Sequence, residues 1–216
     1  MNAFVADDLS ALSDILPVSH ETAERLQAYV ALLRKWQKAD NLVAPGTLAA
    51  IWRRHVADSA QLLHFFPESR VWLDLGSGAG LPGMVVACLL AETEGRVHLV
   101  ESNQRKCAFL REATRVTGAS AEIHCGRIES VLARWTLPVE MISARALAPL
   151  PRLLALAAPV LSREGAAAAF HKGRDFEREI NEASKSWSFD LVKHNSLVGE
   201  SGVILEIRHL RRKHSS

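Results

Sequence analysis

The chain has 216 residues, 48% hydrophobic and 23% charged, and carries a formal net charge of +2 at neutral pH. That composition supplies a full core and excludes wholesale disorder, while +2 is too little to imply nucleic acid unless the cations cluster. Cys88, Cys107 and Cys125 are far apart and form no CxxC pair, so neither a zinc site nor a disulfide framework is expected, and reduced cytosolic thiols are.

In chain order, the first stretch, "MNAFVADDLSALSDILP", has acids where an export signal needs basic residues. The longest apolar runs, such as "MVVACLLA", are too short to span a bilayer. A cytoplasmic protein with no membrane partner is expected. In "ETAERLQAYVALLRKWQKADN", Leu26, Tyr29, Val30, Leu33 and Trp36 recur at spacings of three and four, which predicts a helix with one buried stripe. Ser19 is its N-cap, with Glu21 and Glu24 complementing the helix dipole. A second helix is predicted over "TLAAIWRRHVADSAQLLHFF", with Ile51, Val56, Ser59, Leu62 and Leu63 inward and Pro67 as its stop. These elements make residues 1–68 a helical N-terminal extension.

From Arg70 the texture changes. "RVWLDLG", "GRVHLVES", "AEIHCGR", "VEMISARA" and "GAAAAFHKG" are short apolar runs separated by helical stretches at 83–91, 105–116 and 150–161. Alternation of this kind predicts βαβ units and a parallel sheet covered on both faces, so its strands are apolar throughout. "SFDLVKHNSLV" and "GVILEIRHL" follow without a helix between them and read as a terminal antiparallel hairpin. Residues 69–216 therefore form the second unit.

The first strand runs into "DLGSGAGLPG", where two glycine patterns overlap. Gly78-Ala-Gly80-Leu-Pro-Gly83 is the GxGxxG of a dinucleotide turn. Asp74-Leu-Gly76-Ser-Gly78-Ala-Gly80 is the acid-x-GxGxG of a methyl-donor turn. Both need bare backbone where the chain leaves the strand and the ligand approaches. NAD brings a pyrophosphate, which Asp74 would repel; S-adenosyl-L-methionine brings an ammonium and a sulfonium, which an acid suits. Glu101 closes the next strand and is placed to accept ribose hydroxyls of either cofactor. Ile128, past the third strand, is placed to flank an adenine. Glu129 reads equally as the first turn of a short helix. The terminal hairpin favours the methyl donor, because a dinucleotide domain rarely closes that way.

"WQKADNL", "RRHVADS", "LDLGSGAGLPG", "ESNQRKCAFL", "ISARALAPL" and "HKG", in this order from about Tyr29 to Lys172, resemble the glucose-inhibited division protein B family of bacterial small-subunit (16S) ribosomal RNA methyltransferases that modify guanine at N7. The resemblance implies a class I S-adenosylmethionine-dependent methyltransferase, Rossmann-like, with a mostly parallel seven-stranded sheet and a terminal antiparallel hairpin. It implies 16S ribosomal RNA or the small ribosomal subunit as partner. Donor contacts carried over by position fall on Gly76, Leu81, Ile128, Glu129 and Arg145, and further basic positions on Arg127 and Lys172. The glycine turn adds Ser77, Gly78 and Gly80 to the cofactor set, and Glu101 completes it. Many members read Ser-Arg-Ala after the fourth strand; here Ser143-Ala144-Arg145-Ala146 holds one alanine more, and the alignment is on Arg-Ala.

Guanine N7 carries a lone pair and no proton, so no general base and no catalytic residue is expected. Arg127, Arg145 and Lys172, each at the end of a strand, are expected to meet RNA phosphates. Lys172 has no partner acid near it in sequence. His55 and Asp58 read as a hydrogen-bonded pair on a helix face, or as rim residues. Trp36 reads as core or as a platform for a base. Other cations cluster at Arg34-Lys35, Arg53-Arg54, Arg105-Lys106, Arg111 with Arg115, and Arg211-Arg212-Lys213. A monomer is expected, and no metal.

Overall fold

The computed structural model describes residues 7–13, 15–199 and 202–213. The first helix, α1 (His20–Trp36), begins where predicted: the Ser19 hydroxyl accepts the Thr22 N–H at 3.0 Å. Its stripe is buried at Leu26, Tyr29, Val30 and Leu33. Trp36 is only partly buried; its indole N–H donates to Glu112 Oε2 at 3.1 Å and its ring meets Phe109 edge-on, so it packs as core.

The predicted second helix is broken into three pieces. A 3-10 turn (Pro45–Ala50) and a wide π-type turn (Trp52–Ala57) precede α2 (Asp58–Phe65). The His55 carbonyl accepts from both the Asp58 N–H and, at 2.6 Å, the Ser59 hydroxyl, which draws it out of a regular helical ladder. Hydrophobic periodicity survives this break, since Ile51, Val56, Ser59 and Leu62 are all fully buried and Leu63 partly so.

The sheet then builds from β1 (Val71–Leu75), β2 (Arg96–Glu101), β3 (Ala121–Cys125), β4 (Met141–Arg145) and β5 (Ala167–Lys172), all parallel. Between them run α3 (Gly83–Leu89), α4 (Gln104–Thr117), α5 (Ile128–Leu132) and α6 (Leu150–Leu161). After α7 (Phe176–Ser186), β6 (Trp187–Asn195) and β7 (Val203–Arg212) form the expected hairpin, whose Glu200 and Ser201 lie outside the described residues, as do Met1–Ala6 of the N-terminal stretch read for export. The strand order is β3-β2-β1-β4-β5-β7-β6, with β7 antiparallel to both neighbours. A dinucleotide domain would set a sixth parallel strand beside β5. An antiparallel strand occupies that place here, which decides between the two cofactor readings.

One strand departs from the expectation of apolar strands throughout. β3 is the sheet edge, and its Glu122 is exposed while His124 is half-buried. Among the described residues no helix is long and apolar enough to cross a membrane.

Two core layers flank the sheet. One joins Leu26, Tyr29 and Leu33 of α1 to Trp72, Met84 and Phe109; the other joins Leu73, Ile142, Leu154 and Phe170. The first layer is continuous across residues 68 and 69, so the extension is packed on the sheet domain through shared core. Tyr29 is its deepest polar link: the fully buried hydroxyl donates to the Ala79 carbonyl, inside the glycine turn, at 2.6 Å. Tyr29→Phe leaves that acceptor buried and unmet, a loss of about 1–2 kcal/mol. Urea unfolding is expected to show it as a lower midpoint at unchanged slope; an unchanged midpoint would mean that the bond contributes nothing.

Candidate cofactor and substrate cleft

The C-terminal ends of β1, β2, β4 and β5 open onto one rim, where open α/β sheets bind ligands. Three adjoining hollows lie along it. The first, of about 380 Å³, is walled by Gly76, Gly78, Glu101, Arg127, Ile128 and Glu129, with Leu147 and Leu156 opposite. The second, of about 340 Å³, shares Gly76 and Gly78 and adds Ser77, Leu81, His55, Thr47 and Arg145. The third, of about 320 Å³, lies between Asp58, Arg145, His171, Lys172 and Glu179.

The glycine turn shapes the first two. Gly76, Gly78 and Gly80 have φ of +65°, +57° and +87°, a region that side chains with a Cβ rarely adopt. A Cβ on Gly76 would stand 2.5 Å from Leu147 Cδ1, whereas one on Gly78 would meet only the Gly76 carbonyl, at 3.8 Å. Gly78 thus presents bare backbone to the cleft. Gly80 does not: it is buried against Met84 and Leu110 and lines neither hollow, so its freedom serves the turn and not the ligand. Ser77 is 2% exposed and its hydroxyl donates to the Asp74 carbonyl.

Asp74 has a different role from the one its position suggests. It is 1% exposed, and Oδ1 accepts the Ser143 hydroxyl at 2.7 Å. Burial pushes its carboxyl up to about 6, against the pull of Ser143, Ser77 and the Gly83 N–H. The acid pins the turn from beneath and does not face a cationic ligand. Ser143 therefore points inward. Ala144 takes the opposite sheet face, which leaves Arg145 on the same side as Ser143, toward the extension.

Glu101, at the end of β2, is 8% exposed and accepts from the Gly78 N–H at 2.8 Å and the Asn103 N–H at 2.7 Å. Two amide donors fix the carboxylate against the bare turn. Ile128 starts α5 as an apolar wall, partly buried. Glu129 lies in the first turn of α5 and pairs with Arg152 at 3.0 Å, so it is both a helix-start acid and a lining residue. These features fit S-adenosyl-L-methionine. Bare backbone at Gly76 and Gly78 leaves room for the chain, Glu101 stands where ribose hydroxyls need an acceptor, and Ile128, Leu147 and Leu156 offer an apolar slot.

Arg145 closes the second hollow. Its guanidinium donates to Asp58 Oδ2 at 2.8 Å, to His55 Nδ1 at 2.7 Å and to the Arg54 carbonyl at 3.2 Å. An arginine only donates, so His55 Nδ1 is the bare nitrogen and its Nε2–H donates to Thr47 Oγ1 at 2.7 Å. Burial, followed by the Arg145 charge, holds His55 down to about 4. His55 and Asp58 thus converge on Arg145 instead of pairing along a helix face. His171 joins them, its Nε2–H donating to the Asp58 carbonyl at 2.9 Å, which leaves a buried Nδ1 without a partner.

The expectation that Lys172 lacks a counter-acid is corrected. Its ammonium sits 2.6 Å from Glu179 of α7 and 3.0 Å from the Ala148 carbonyl, with the side chain 8% exposed. Glu179 is seven residues on and one helical turn into α7, and only the way that helix folds back brings it to the strand end. Arg127, by contrast, is exposed, and with Lys106 and Arg53 it forms none of the ion pairs found among the described residues. Arg105 is paired with Asp40. The cations at 211–213 lie at the opposite end of the sheet, because β7 runs antiparallel. Lys106, one of the clustered cations of the sequence, lines both cofactor hollows, whereas Ala146, at φ +54° on the border of all three, and the wall residues Leu147, Leu156 and Thr47 have no pattern in the sequence that marks them as site residues.

Sheet order, glycine turn, rim acid and apolar slot together define a class I S-adenosylmethionine-dependent methyltransferase. Solved structures bear out the fold: a cofactor-bound protein from MTB, Rv0187, superposes with a TM-score of 0.62 at 15% identity, covering 96% of this chain and 99% of that one. An O-methyltransferase from Bacillus cereus in complex with SAH gives 0.56 at 17%, covering 95% and 98%. The family model GidB, described as rRNA small subunit methyltransferase G, matches residues 22–210, and the chain belongs to that family. Relatives carrying the name Ribosomal RNA small subunit methyltransferase G include one from Brucella canis, 52% identical over 94% of this chain and 95% of its own. Another, from Bradyrhizobium, is 47% identical over 96% and 94%.

Proposed function

We propose that the chain transfers a methyl group from S-adenosyl-L-methionine to N7 of a guanine in 16S ribosomal RNA near the decoding centre, as a cytoplasmic monomer. The observation that carries this reading is the near-complete match to relatives named for small-subunit ribosomal RNA methylation. In this reading Gly76, Ser77, Gly78, Leu81, Glu101, Ile128 and Glu129 hold the donor, and Gly80 sets the turn. In the division into a helical extension, 1–68, and a methyltransferase domain, 69–216, residues between Leu42 and Gln61 of the extension line the far wall of the cleft and the domain carries the donor site.

The bound donor supplies an electrophilic methyl group on a sulfonium sulfur. N7 has no proton to lose, so the residues of the chain need only position the two partners and exclude water, and placement of that kind lowers a barrier by about 7–11 kcal/mol. Methylation leaves a positive charge on the base. Arg145 borders the cleft without opposing that charge, because Asp58 neutralises it at 2.8 Å. Arg127 and Lys106, which line the cofactor hollow and form none of the ion pairs found among the described residues, are free to meet phosphates at the rim. Lys172 acts there by fixing α7 and the loop after β4 through Glu179 and Ala148.

The test uses labelled donor and small subunits, or their RNA, from a strain lacking this gene. One guanine is expected to gain a single methyl at N7, located by strand scission at that base. S-adenosylmethionine and its demethylated product should also raise the melting temperature while NAD does not. Label in protein, or on a base outside the small-subunit RNA, would overturn the proposal.

A further inference from the structure

A second cluster of ligand-type side chains lies on the sheet, away from the rim. His98 on β2 and Glu122 on β3 are register partners, and His124 stands two residues beyond Glu122, opposite Val100. Residues two apart on a strand share a face. All three side chains therefore meet on one side of the β2–β3 pair, the side covered by Leu132 and Trp135.

We propose that His98, Glu122 and His124 form a zinc-binding site that clamps the edge strand β3 to β2. His98 Nδ1 lies 3.1 Å from His124 Nε2 and 3.6 Å from Glu122 Oε2, and His124 Nε2 lies 3.8 Å from Glu122 Oε1. Zinc bonds of about 2.0–2.2 Å at tetrahedral angles put ligand atoms roughly 3.3–3.6 Å apart. The two nitrogens are already near that spacing, each faces a different oxygen of the Glu122 carboxylate, and one ligand atom from each of the three residues lies within 4.8 Å of the others, so a small turn of the exposed carboxylate closes the site. The donor set also suits the ion. Two imidazoles and one carboxylate match zinc, and water completes the coordination.

The surroundings keep both imidazoles available as neutral ligands. His98 is 3% exposed, and the Trp135 ring stands edge-on to both histidines, at 5.1 and 4.9 Å. Burial disfavours charge on either ring. Without an ion, two nitrogen lone-pair positions 3.1 Å apart must share one hydrogen. Glu122 is also approached by the exposed Arg96, at 3.9 Å, a contact that the ion would weaken. β3 leads within four residues of His124 to Arg127 and Ile128, so the clamp sits just behind one wall of the cofactor hollow.

The test uses the untagged full-length protein, stripped with chelator and titrated with Co²⁺ and then Zn²⁺. One Co²⁺ per chain is expected, with the intense visible absorption of a tetrahedral ion, displaced by Zn²⁺ with a rise in melting temperature. Glu122→Gln and His124→Gln alter partly exposed side chains, and retained binding of S-adenosylhomocysteine certifies their fold. Removing even an outer-shell partner typically weakens a metal site by about 10–100-fold, so loss of a ligand should cost at least as much. Binding unchanged in both variants, or a spectrum like that of aqueous Co²⁺, would overturn the assignment.

Discussion

Gly78→Val is expected to lower affinity for S-adenosylmethionine and S-adenosylhomocysteine by at least about 100-fold, roughly 2.7 kcal/mol, while the protein still folds. Two physical effects add. At φ +57° a β-branched residue is strained, and relieving the strain would move the backbone N–H that now donates to Glu101 at 2.8 Å. The side chain would also enter the cleft, since nothing but the Gly76 carbonyl, at 3.8 Å, lies near the new Cβ. That open space is why folding should survive. Gly76→Val should act through the cleft wall instead: its Cβ would stand 2.5 Å from Leu147 Cδ1, the end of a flexible side chain that lines the first hollow, so Leu147 must move and donor affinity should fall. Gly46→Ala, with nothing within 4 Å, serves as the neutral control. Calorimetric titration beside a circular-dichroism melt separates the cases. Normal donor affinity in folded Gly78→Val would show that the turn does not cradle the cofactor.

What was legible beforehand depended on how far apart in sequence the cooperating residues lie. Ser19 caps α1, and the glycine turn and the 150–161 helix stand where expected, because each is a local pattern of a few residues. The hairpin was legible for the same reason, and it carried the choice of cofactor. Asp74 misled because strand alternation alone does not say how deeply a residue lies; its 1% exposure comes from α3 starting directly above it. The Lys172–Glu179 pair depends on how α7 folds back, and the His98–His124 contact on strand register, neither of which is written in a window of sequence. The break before α2 was hidden because its residues keep helical hydrophobic spacing; only the His55 carbonyl, drawn to Ser59, records it. That break has a consequence for the site. It turns His55 and Asp58 toward the sheet rim, so the extension completes the wall of the second hollow.

Arg145→Met is expected to damage the enzyme more than loss of one cofactor contact would. The substitution keeps much of the stem but removes donors to Asp58, His55 and Arg54 together. Asp58 is left with a partly buried charge whose nearest remaining cation-capable neighbour is His171, at 3.9 Å. Since Arg145 and Asp58 are 16% and 21% exposed, water softens the penalty, and a stability loss of about 2 kcal/mol is expected, below that of a fully buried pair. Methyl transfer should fall by about 100-fold or more as the extension loosens from the rim, an effect of roughly 2.7 kcal/mol. Arg145→Lys should not restore it, because a lysine cannot hold three acceptors in a planar fork. The pH dependence gives the distinguishing readout. His55 is depressed to about 4, so the unfolded chain binds a proton that the native state refuses. Its contribution is fully present above the ordinary value of 6.5 and is lost as pH falls from there toward 4. Burial, the larger cause, persists in the variant, while the Arg145 charge does not. His55 should therefore titrate higher in Arg145→Met, between 4 and 6.5, and the acid loss of stability should span a narrower window. Proton NMR of the His55 ring across pH 3.5–8 measures this directly. An unmoved His55 titration with unchanged methyl transfer would mean that Arg145 only decorates the rim.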